Sequence, residues 1–175
     1  MSNNTILLLI VGAVLIAVIA YYMARFLRGS ITLSLSRTAF NPGDTVTGSF
    51  DIHIKKPIEG NKLAVCLIGV QTTKTYGGEK TRTRSEEVYR EEVLLEEATT
   101  YTAGHTATHE FEITVPDAGA PEFMSSTLGK TLTTALRLLS NKHTRLKWRV
   151  EARLDAKGID LAAAKTVTIN MKRLG

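Results

Sequence analysis

Residues 146–154 read LKWRVEARL, and the alternation of apolar and charged side chains in this stretch is the clearest indication of a β fold. Apolar side chains at Leu146, Trp148, Val150 and Leu154 alternate with charged ones. Successive side chains of a β-strand point to opposite faces of its sheet, so a period of two predicts a strand with one buried and one solvated face. We therefore expect Trp148 to be buried between two sheets.

Strand patterns recur on both sides of this stretch, separated by turn residues such as Asn41-Pro42-Gly43-Asp44 and Gly77-Gly78. One of them is apolar on both faces, as in a central strand, and another is less regular and rich in glutamate. Strands do not alternate with helices as in a parallel sheet. The sequence therefore predicts an all-β fold, an antiparallel immunoglobulin-like β-sandwich of about seven strands. Besides 146–154, the predicted strands are 31–35, 45–54, 63–70, 82–97, 109–115 and 167–171.

A different pattern precedes the strands. Residues 6–24 read ILLLIVGAVLIAVIAYYMA and carry no charge. At about 1.5 Å per residue, such a helix reaches roughly 30 Å, the thickness of the hydrocarbon core. Residues 2–5 lack the positive charge of a signal peptide, and Tyr21, Tyr22 and Met23 are too bulky for its cleavage site. We predict an uncleaved transmembrane helix with its flank over 1–28, and a β-sandwich domain over 29–175.

The flanks of this helix predict its orientation. Arg25 and Arg28 are the only charged residues among the first 28, and both lie on the C-terminal side of the apolar run. Because cytoplasmic flanks carry the excess of Lys and Arg, the N-terminus is predicted to lie outside and the β-domain in the cytoplasm. The protein is then a single-pass membrane protein.

Small residues form a stripe along the predicted helix. The alanines are spaced by four, three and four residues, which places them on one face, with a glycine beside it. Small residues let a neighbouring membrane helix approach closely, so the stripe predicts a helix-packing interface. The alternative is that alanine is common in such helices and aligns here by chance. The interface residues are Gly12, Ala13, Ala17, Ala20 and Ala24.

One segment between the strands has a helical period. Over about 125–141, Leu128, Leu132, Ala135, Leu136 and Leu139 recur at helical spacing, which predicts a short amphipathic helix. We expect its leucines to close one end of the sandwich. From 130 to 149 the segment is basic and lacks acidic residues, which makes it a candidate surface for lipid or a protein partner. These basic residues are Lys130, Arg137, Lys142, Arg145, Lys147 and Arg149.

Four motifs in order resemble one domain of the arrestin fold family. Residues 40–48 (FNPGDTVTG) and 63–69 (LAVCLIG) are similar to its early strands, and 148–154 (WRVEARL) to a late one. Between them, EVLL at 92–95, AG at 103–104 and FEITVP at 111–116 are similar to its acidic-aliphatic strand, the following strand and the Pro-containing loop. The resemblance implies a β-sandwich adaptor or scaffold without catalysis. Family adaptors usually have two such sandwiches, whereas this chain has room for one.

Other function classes find little support in the sequence. After residue 28 the chain has 20 Lys and Arg against 17 acidic residues, and this net charge of +3 is too weak to argue for nucleic acid. The single cysteine, Cys66, lies in the most apolar strand and is interpreted as a small core residue. On one strand His105 and His109 would lie about 13 Å apart, too far for one metal ion. We therefore predict no enzyme activity, no metal or other cofactor, and no small-molecule substrate.

Together these features lead to one functional hypothesis and one alternative. The chain is predicted to be a non-catalytic, membrane-anchored arrestin-like adaptor or scaffold, as an accessory subunit of a membrane protein complex. Its partners would be the bilayer and another membrane protein, contacted through the helix, the β-domain or both. The alternative is a peripheral lipid-binding or stress-response module that uses the basic segment on anionic membrane.

Overall fold

The computed structural model describes residues 3–77, 80–117, 126–138 and 144–170. A long helix, α1 (Asn3–Arg28), leads directly into two layers of β-sheet. A short helix, α2 (Thr127–Leu138), precedes the last two strands. The strands are β1 (Gly29–Leu35), β2 (Ala39–Phe40), β3 (Thr45–Ile54), β4 (Ile58–Gly77), β5 (Lys80–Glu96), β6 (Thr99–Tyr101), β7 (Thr106–Thr114), β8 (Thr144–Ala156) and β9 (Leu161–Ile169).

The two sheets differ in size. The small sheet has the order β1-β3-β7 and is antiparallel throughout. The large sheet has the order β2-β9-β8-β4-β5, with β6 paired to the start of β4. Within the described residues, β2 with β9 is the one parallel pair. This architecture confirms the predicted all-β sandwich with an N-terminal helix and one inserted helix.

The alternation in β8 positions the core as the sequence predicts. Trp148 is only 3% exposed, and its ring packs edge-on against Tyr89 with centroids 5.4 Å apart. Gly69 lies opposite Trp148 on β4, where a Cβ atom would come within 3.0 Å of the indole ring. A side chain at position 69 would therefore crowd the ring, and the predicted burial of Trp148 is confirmed.

Strand β4 is buried on both faces, as its sequence predicts. Leu63, Val65 and Leu67 belong to the core between the sheets. Their neighbours on the outer face, among them Cys66 and Ile68, are also buried. On this outer face, charged side chains of the adjacent strand β5 lie against Cys66.

Two short strands and some element ends differ from the predictions. Strands β2 and β6 have two and three residues and were not predicted, because so few residues cannot show a period. Strand β9 begins at Leu161, six residues before the predicted start, and Met171 lies outside the described residues. Gly78 of the predicted turn lies outside them as well.

Helix α2 closes one end of the sandwich. The Ser126 hydroxyl caps it by accepting a hydrogen bond from the Gly129 amide at 2.9 Å. Leu132 is fully buried in the core, whereas Leu128 is 45% exposed. The Gln71 side chain of β4 donates a hydrogen bond to the Ala135 carbonyl at 3.3 Å. The predicted closing role is thus confirmed for Leu132 and Ala135; the side chains of Leu136 and Leu139, and Asn141, lie outside the described residues.

Candidate interaction surfaces

Helix α1 is apolar and uncovered. Within it, Thr5–Arg28 has the length and composition to cross a membrane, and none of it is buried. A signal sequence near an N-terminus passes the same test. At about 1.5 Å per residue these 24 residues extend about 36 Å, which is enough to span the hydrocarbon core. Its large apolar side chains therefore have the exposure of a helix that faces lipid or another helix.

The small-residue stripe lies on this uncovered helix. Ala13, Ala17 and Ala20 are exposed, and Ala24 is half-buried close to the sandwich. A Cβ atom added at Gly12 would meet nothing within 4 Å. The stripe is therefore accessible to a neighbouring helix along most of its length, and its role as an interface remains a prediction.

The junction of α1 with the sandwich has no linker. Gly29 is buried, and a Cβ atom there would lie 2.4 Å from the carbonyl oxygen of His53. The carbonyl of Arg28 accepts hydrogen bonds from the amides of Lys55 and Lys56 at 2.9 and 3.2 Å. Backbone of the β3–β4 turn thus holds the last residue of the helix against the sandwich.

Two arginine side chains hold the same end of α1 against the large sheet, whereas the backbone of α1 continues into β1 of the small sheet. The Arg28 guanidinium donates to the carbonyls of Lys157 and Ile159 at 3.0 and 3.1 Å, in the β8–β9 turn. Arg25 donates to the carbonyl of Ala162 on β9. Arg25 and Arg28 therefore have a structural role in addition to the orientation signal that the sequence suggested. We call this end of the sandwich the α1 end, and the end closed by α2 the α2 end.

Three lysines lie at the α1 end, in the two turns that contact the last residue of the helix. Lys55 and Lys56 lie in the β3–β4 turn, and Lys157 lies in the β8–β9 turn. The Lys55 ammonium lies 3.4 Å from the centroid of the Phe26 ring on α1. No local pattern in the sequence singles out these lysines, because two distant turns contribute them and no sequence motif links the two.

The basic segment of 130–149 lies at the α2 end and is divided between two faces. Lys130 is exposed on α2, which packs on the core side of the large sheet. Arg145 and Lys147 alternate with buried Thr144 and Trp148 and therefore point to the outer face. Arg149, also on that face, is half-buried beside Glu151, with nitrogen and oxygen 3.4 Å apart. The Arg137 side chain and Lys142 lie outside the described residues.

The two ends are far apart. Arg145 is the second residue of β8 and lies near the α2 end, whereas Lys157 directly follows the last residue of β8 at the α1 end. A rise of about 3.3 Å per residue along β8 separates these two residues by about 40 Å. The basic segment therefore does not share a surface with the end of α1.

The thiol of Cys66 lies among charged side chains on the outer face of the large sheet. Its sulfur is 3.4 Å from a guanidinium nitrogen of Arg90 and 3.6 Å from a carboxylate oxygen of Glu92. Cys66 is only 2% exposed, and burial raises the pKa of its thiol. The predicted burial of Cys66 is confirmed, but the residue lies on the outer face of the large sheet and not in the core cluster between the sheets.

His105 and His109 have separate surroundings. His109 stacks on Phe50 with centroids 5.2 Å apart, and its Nε2 atom lies 3.4 Å from Glu96. His105 packs against Tyr101 at the turn before β7. Across the described residues, no group of three or more His, Cys, Asp or Glu side chains is arranged to hold a metal ion.

A three-stranded and a six-stranded sheet packed with this connectivity form an arrestin-type β-sandwich. The family described as "Arrestin (or S-antigen), C-terminal domain" matches residues 29–172, so the chain belongs to that family. The match begins at Gly29, the first residue after α1. The resemblance stated from the sequence motifs is thereby confirmed. Families with this fold are generally non-catalytic, and their domains mediate protein–protein interactions.

Comparison with other proteins supports the fold. The crystal structure of Spo0M, a sporulation control protein from Bacillus subtilis, is similar to this chain with a TM-score of 0.55 and 14% sequence identity. The match covers 83% of this chain and 50% of the Spo0M chain, so this chain spans half the length of that protein. No curated protein sequence matches the chain.

Proposed function

We propose that this protein is a non-catalytic, single-pass membrane adaptor that presents one arrestin-type sandwich to another membrane protein, as an accessory subunit of a complex. The observation that carries the proposal is the linker-free junction at Gly29. It joins an uncovered apolar helix to a domain of a protein-binding family. A helix fastened in this way sets the position and orientation of the sandwich relative to the bilayer.

The contacts of Arg25 and Arg28 support a retained anchor in preference to a cleaved signal. Both side chains donate to backbone carbonyls of the β8–β9 region, and the Arg28 carbonyl accepts two amides. Removing α1 would leave these partners without the hydrogen bonds that they make here, which costs free energy for each buried group. Their positive charges also favour a cytoplasmic location for the sandwich.

The position of the basic segment favours a protein partner over lipid for that surface. Arg145 and Lys147 lie about 40 Å along β8 from the α1 end, whereas anionic lipid attracts charge only within a Debye length of the membrane, about 8 Å. The alternative of a peripheral lipid-binding or stress-response module based on these residues therefore has less support. A cytoplasmic partner subunit is better placed to contact them.

Topology provides the first test. A protease added to intact cells is expected to leave residues 30–175 untouched, and a C-terminal reporter that is active only outside the cytoplasm is expected to be silent. Because both assays examine the intact chain, they also test anchoring. An active reporter, or a soluble fragment that begins near Gly29, would contradict the proposed topology.

Association provides the second test. The full-length chain, purified in mild detergent, is expected to co-elute with a membrane protein at a fixed ratio. Cross-linking in intact membranes before solubilisation is expected to capture the same protein. Purification of the chain alone after both procedures would contradict the adaptor role, and the sandwich would then need a different function.

A further inference from the structure

We propose that Lys55, Lys56 and Lys157 form a collar that binds the phosphate of anionic lipid headgroups where α1 leaves the sandwich. The inference rests on the proposed membrane anchoring, and it adds a lipid class and a binding surface to it. The three collar lysines come from two turns, one that connects the small sheet to the large sheet and one within the large sheet, and both turns contact the last residue of α1.

The geometry fixes the height of the collar relative to the membrane. Arg28 is the last helical residue, and its carbonyl accepts the amides of Lys55 and Lys56. On the other side its guanidinium donates to the carbonyl of Lys157. Each lysine backbone therefore lies one hydrogen bond away from the end of the apolar helix. If α1 crosses the hydrocarbon core, the collar lysines lie at the level of the headgroups.

The charge balance at this site is positive. Among the described residues, no acidic side chain forms an ion pair with Lys55 or Lys56. Lys157 lies 3.3 Å from Glu59, but both side chains are largely exposed, so this pair is weak and exchangeable. The nearby carboxylate of Asp160 is held by Arg153 and by the Ala156 amide.

The lysines are chemically suited to a headgroup. An ammonium on a flexible stem is a compact charge with three donors, which fits a phosphate that diffuses in the membrane plane. Phe26, beneath the Lys55 ammonium, gives the same site an aromatic ring at the membrane interface. Glu96, the last residue of β5, is engaged elsewhere: its carboxylate accepts a hydrogen bond from the Tyr101 hydroxyl at 2.6 Å and lies 3.4 Å from His109.

The test uses the full-length chain in vesicles of equal parts phosphatidylglycerol and phosphatidylcholine. After solubilisation in mild detergent, the co-purified lipids are quantified by mass spectrometry. The wild-type protein is expected to co-purify with more phosphatidylglycerol than phosphatidylcholine. In the triple variant K55Q/K56Q/K157Q the ratio of the two lipids is expected to fall about tenfold. Raising the salt from about 0.1 M to about 1 M during purification is expected to reduce the wild-type enrichment, because the Debye length falls from about 10 to 3 Å.

A matched variant carries the same change in charge at the other end. K130Q/R145Q/K147Q also removes three positive charges, but at the α2 end, and is expected to retain the wild-type enrichment. Retention of phosphatidylglycerol by the collar variant, or its loss in the α2-end variant instead, would overturn the collar. Emission of Trp148 verifies that both variants are folded.

Alkaline carbonate extraction separates this inference from the proposed function. Release of the wild-type chain from membranes would overturn the anchoring and the collar together. A chain that resists extraction but binds both lipids equally would overturn the collar alone and leave the adaptor proposal standing.

Discussion

The two ends of the sandwich differ in how the positions of their basic residues in the sequence relate to the positions in the structure. At the α2 end the basic residues are close in sequence, yet the fold places Lys130 on one face of the large sheet and Arg145 and Lys147 on the other. At the α1 end Lys55, Lys56 and Lys157 are dispersed in sequence, yet two turns bring them to the same helix end. Density of charge along the chain is therefore a poor guide to density on the surface.

The physical reason is the geometry of strands and turns. Alternate residues of a strand share one face, so Arg145, Lys147 and Arg149 lie together on the outer face of β8, whereas Lys130 belongs to α2 on the core side; the basic segment is divided because it contributes to two elements. Turns at one end of a sandwich converge from all strands, whatever their separation in sequence. The two ends are also about 40 Å apart, several Debye lengths at physiological salt, so neither contributes to the electrostatic potential at the other.

The largest expected effect is a loss of stability from the core of the sandwich, which lies between the two ends. Trp148→Ala is expected to cost about 3–5 kcal/mol of unfolding free energy, because it leaves a large cavity beside Tyr89 and Gly69. Denaturant titration of the protein in detergent measures this cost. Leu94→Ala is the control, since Leu94 is 50% exposed on β5 and should change little. Native emission typical of a solvent-exposed tryptophan would contradict the structure.

The next effect tests the junction at the α1 end. Gly29→Ala is expected to cost about 1–3 kcal/mol, because the new Cβ atom would lie 2.4 Å from the backbone oxygen of His53, which cannot move without distorting β3. Partial release of the helix should also make the junction sensitive to protease. Gly12→Ala is the matched control, as its Cβ atom meets nothing within 4 Å. Equal protease resistance and stability in both variants would show that the junction is not tightly packed.

A smaller effect concerns the stripe on α1. Ala17→Leu and Ala20→Leu keep the helix apolar, but they add bulk to the predicted packing face and should weaken partner association by on the order of 1 kcal/mol, about fivefold in co-purified yield. Leu15→Ala, on the opposite face, is the control and should be nearly silent. Wild-type yields for both leucine variants would reduce α1 to a tether and leave the sandwich as the sole contact.

The smallest expected effect is a pH-dependent contribution to stability from the ion pair of Glu87 and Arg90 on β5. The two hydrogen bonds from Arg90, at 2.7 and 2.9 Å, lower the pKa of the Glu87 carboxyl. A carboxyl with a lowered pKa in the folded state stabilises the fold above its ordinary pKa of 4.5, and this contribution is lost as the pH falls below that value. Both side chains are 39% exposed, so solvent screening keeps the effect small.

Denaturant titrations between neutral and acidic pH measure this contribution. Glu87→Gln should flatten the acid dependence slightly, and Arg90→Gln should flatten it to a similar extent. The double variant should add little, because the two residues share one interaction. Additive effects would indicate that Glu87 and Arg90 act separately.

Much of the fold could be read from local patterns. The strict alternation in β3 and β8 gave their buried faces, and the apolar run of β4 gave a central strand, because burial of a sheet face imposes a period of two. The helical spacing in α2 likewise indicated the inward side at Leu132 and Ala135, but not at Leu128, which is exposed. The short strands β2 and β6 could not be predicted, because they form by pairing with β9 and β4 and have no local sequence pattern.

Local sequence patterns suffice for the types of element: an apolar helix of membrane-spanning length, a sandwich of the arrestin family and an inserted helix that closes it. These follow from local hydrophobic period and composition, which a chain expresses over a few neighbouring residues. Three features depend on the folded chain: α1 joins the sandwich without a linker, Arg25 and Arg28 reach the β8–β9 region, and the turns that carry the collar lysines contact the end of α1. Those features arise from hydrogen bonds between turns distant in sequence, and convergence of that kind leaves no periodic trace in the residues that produce it.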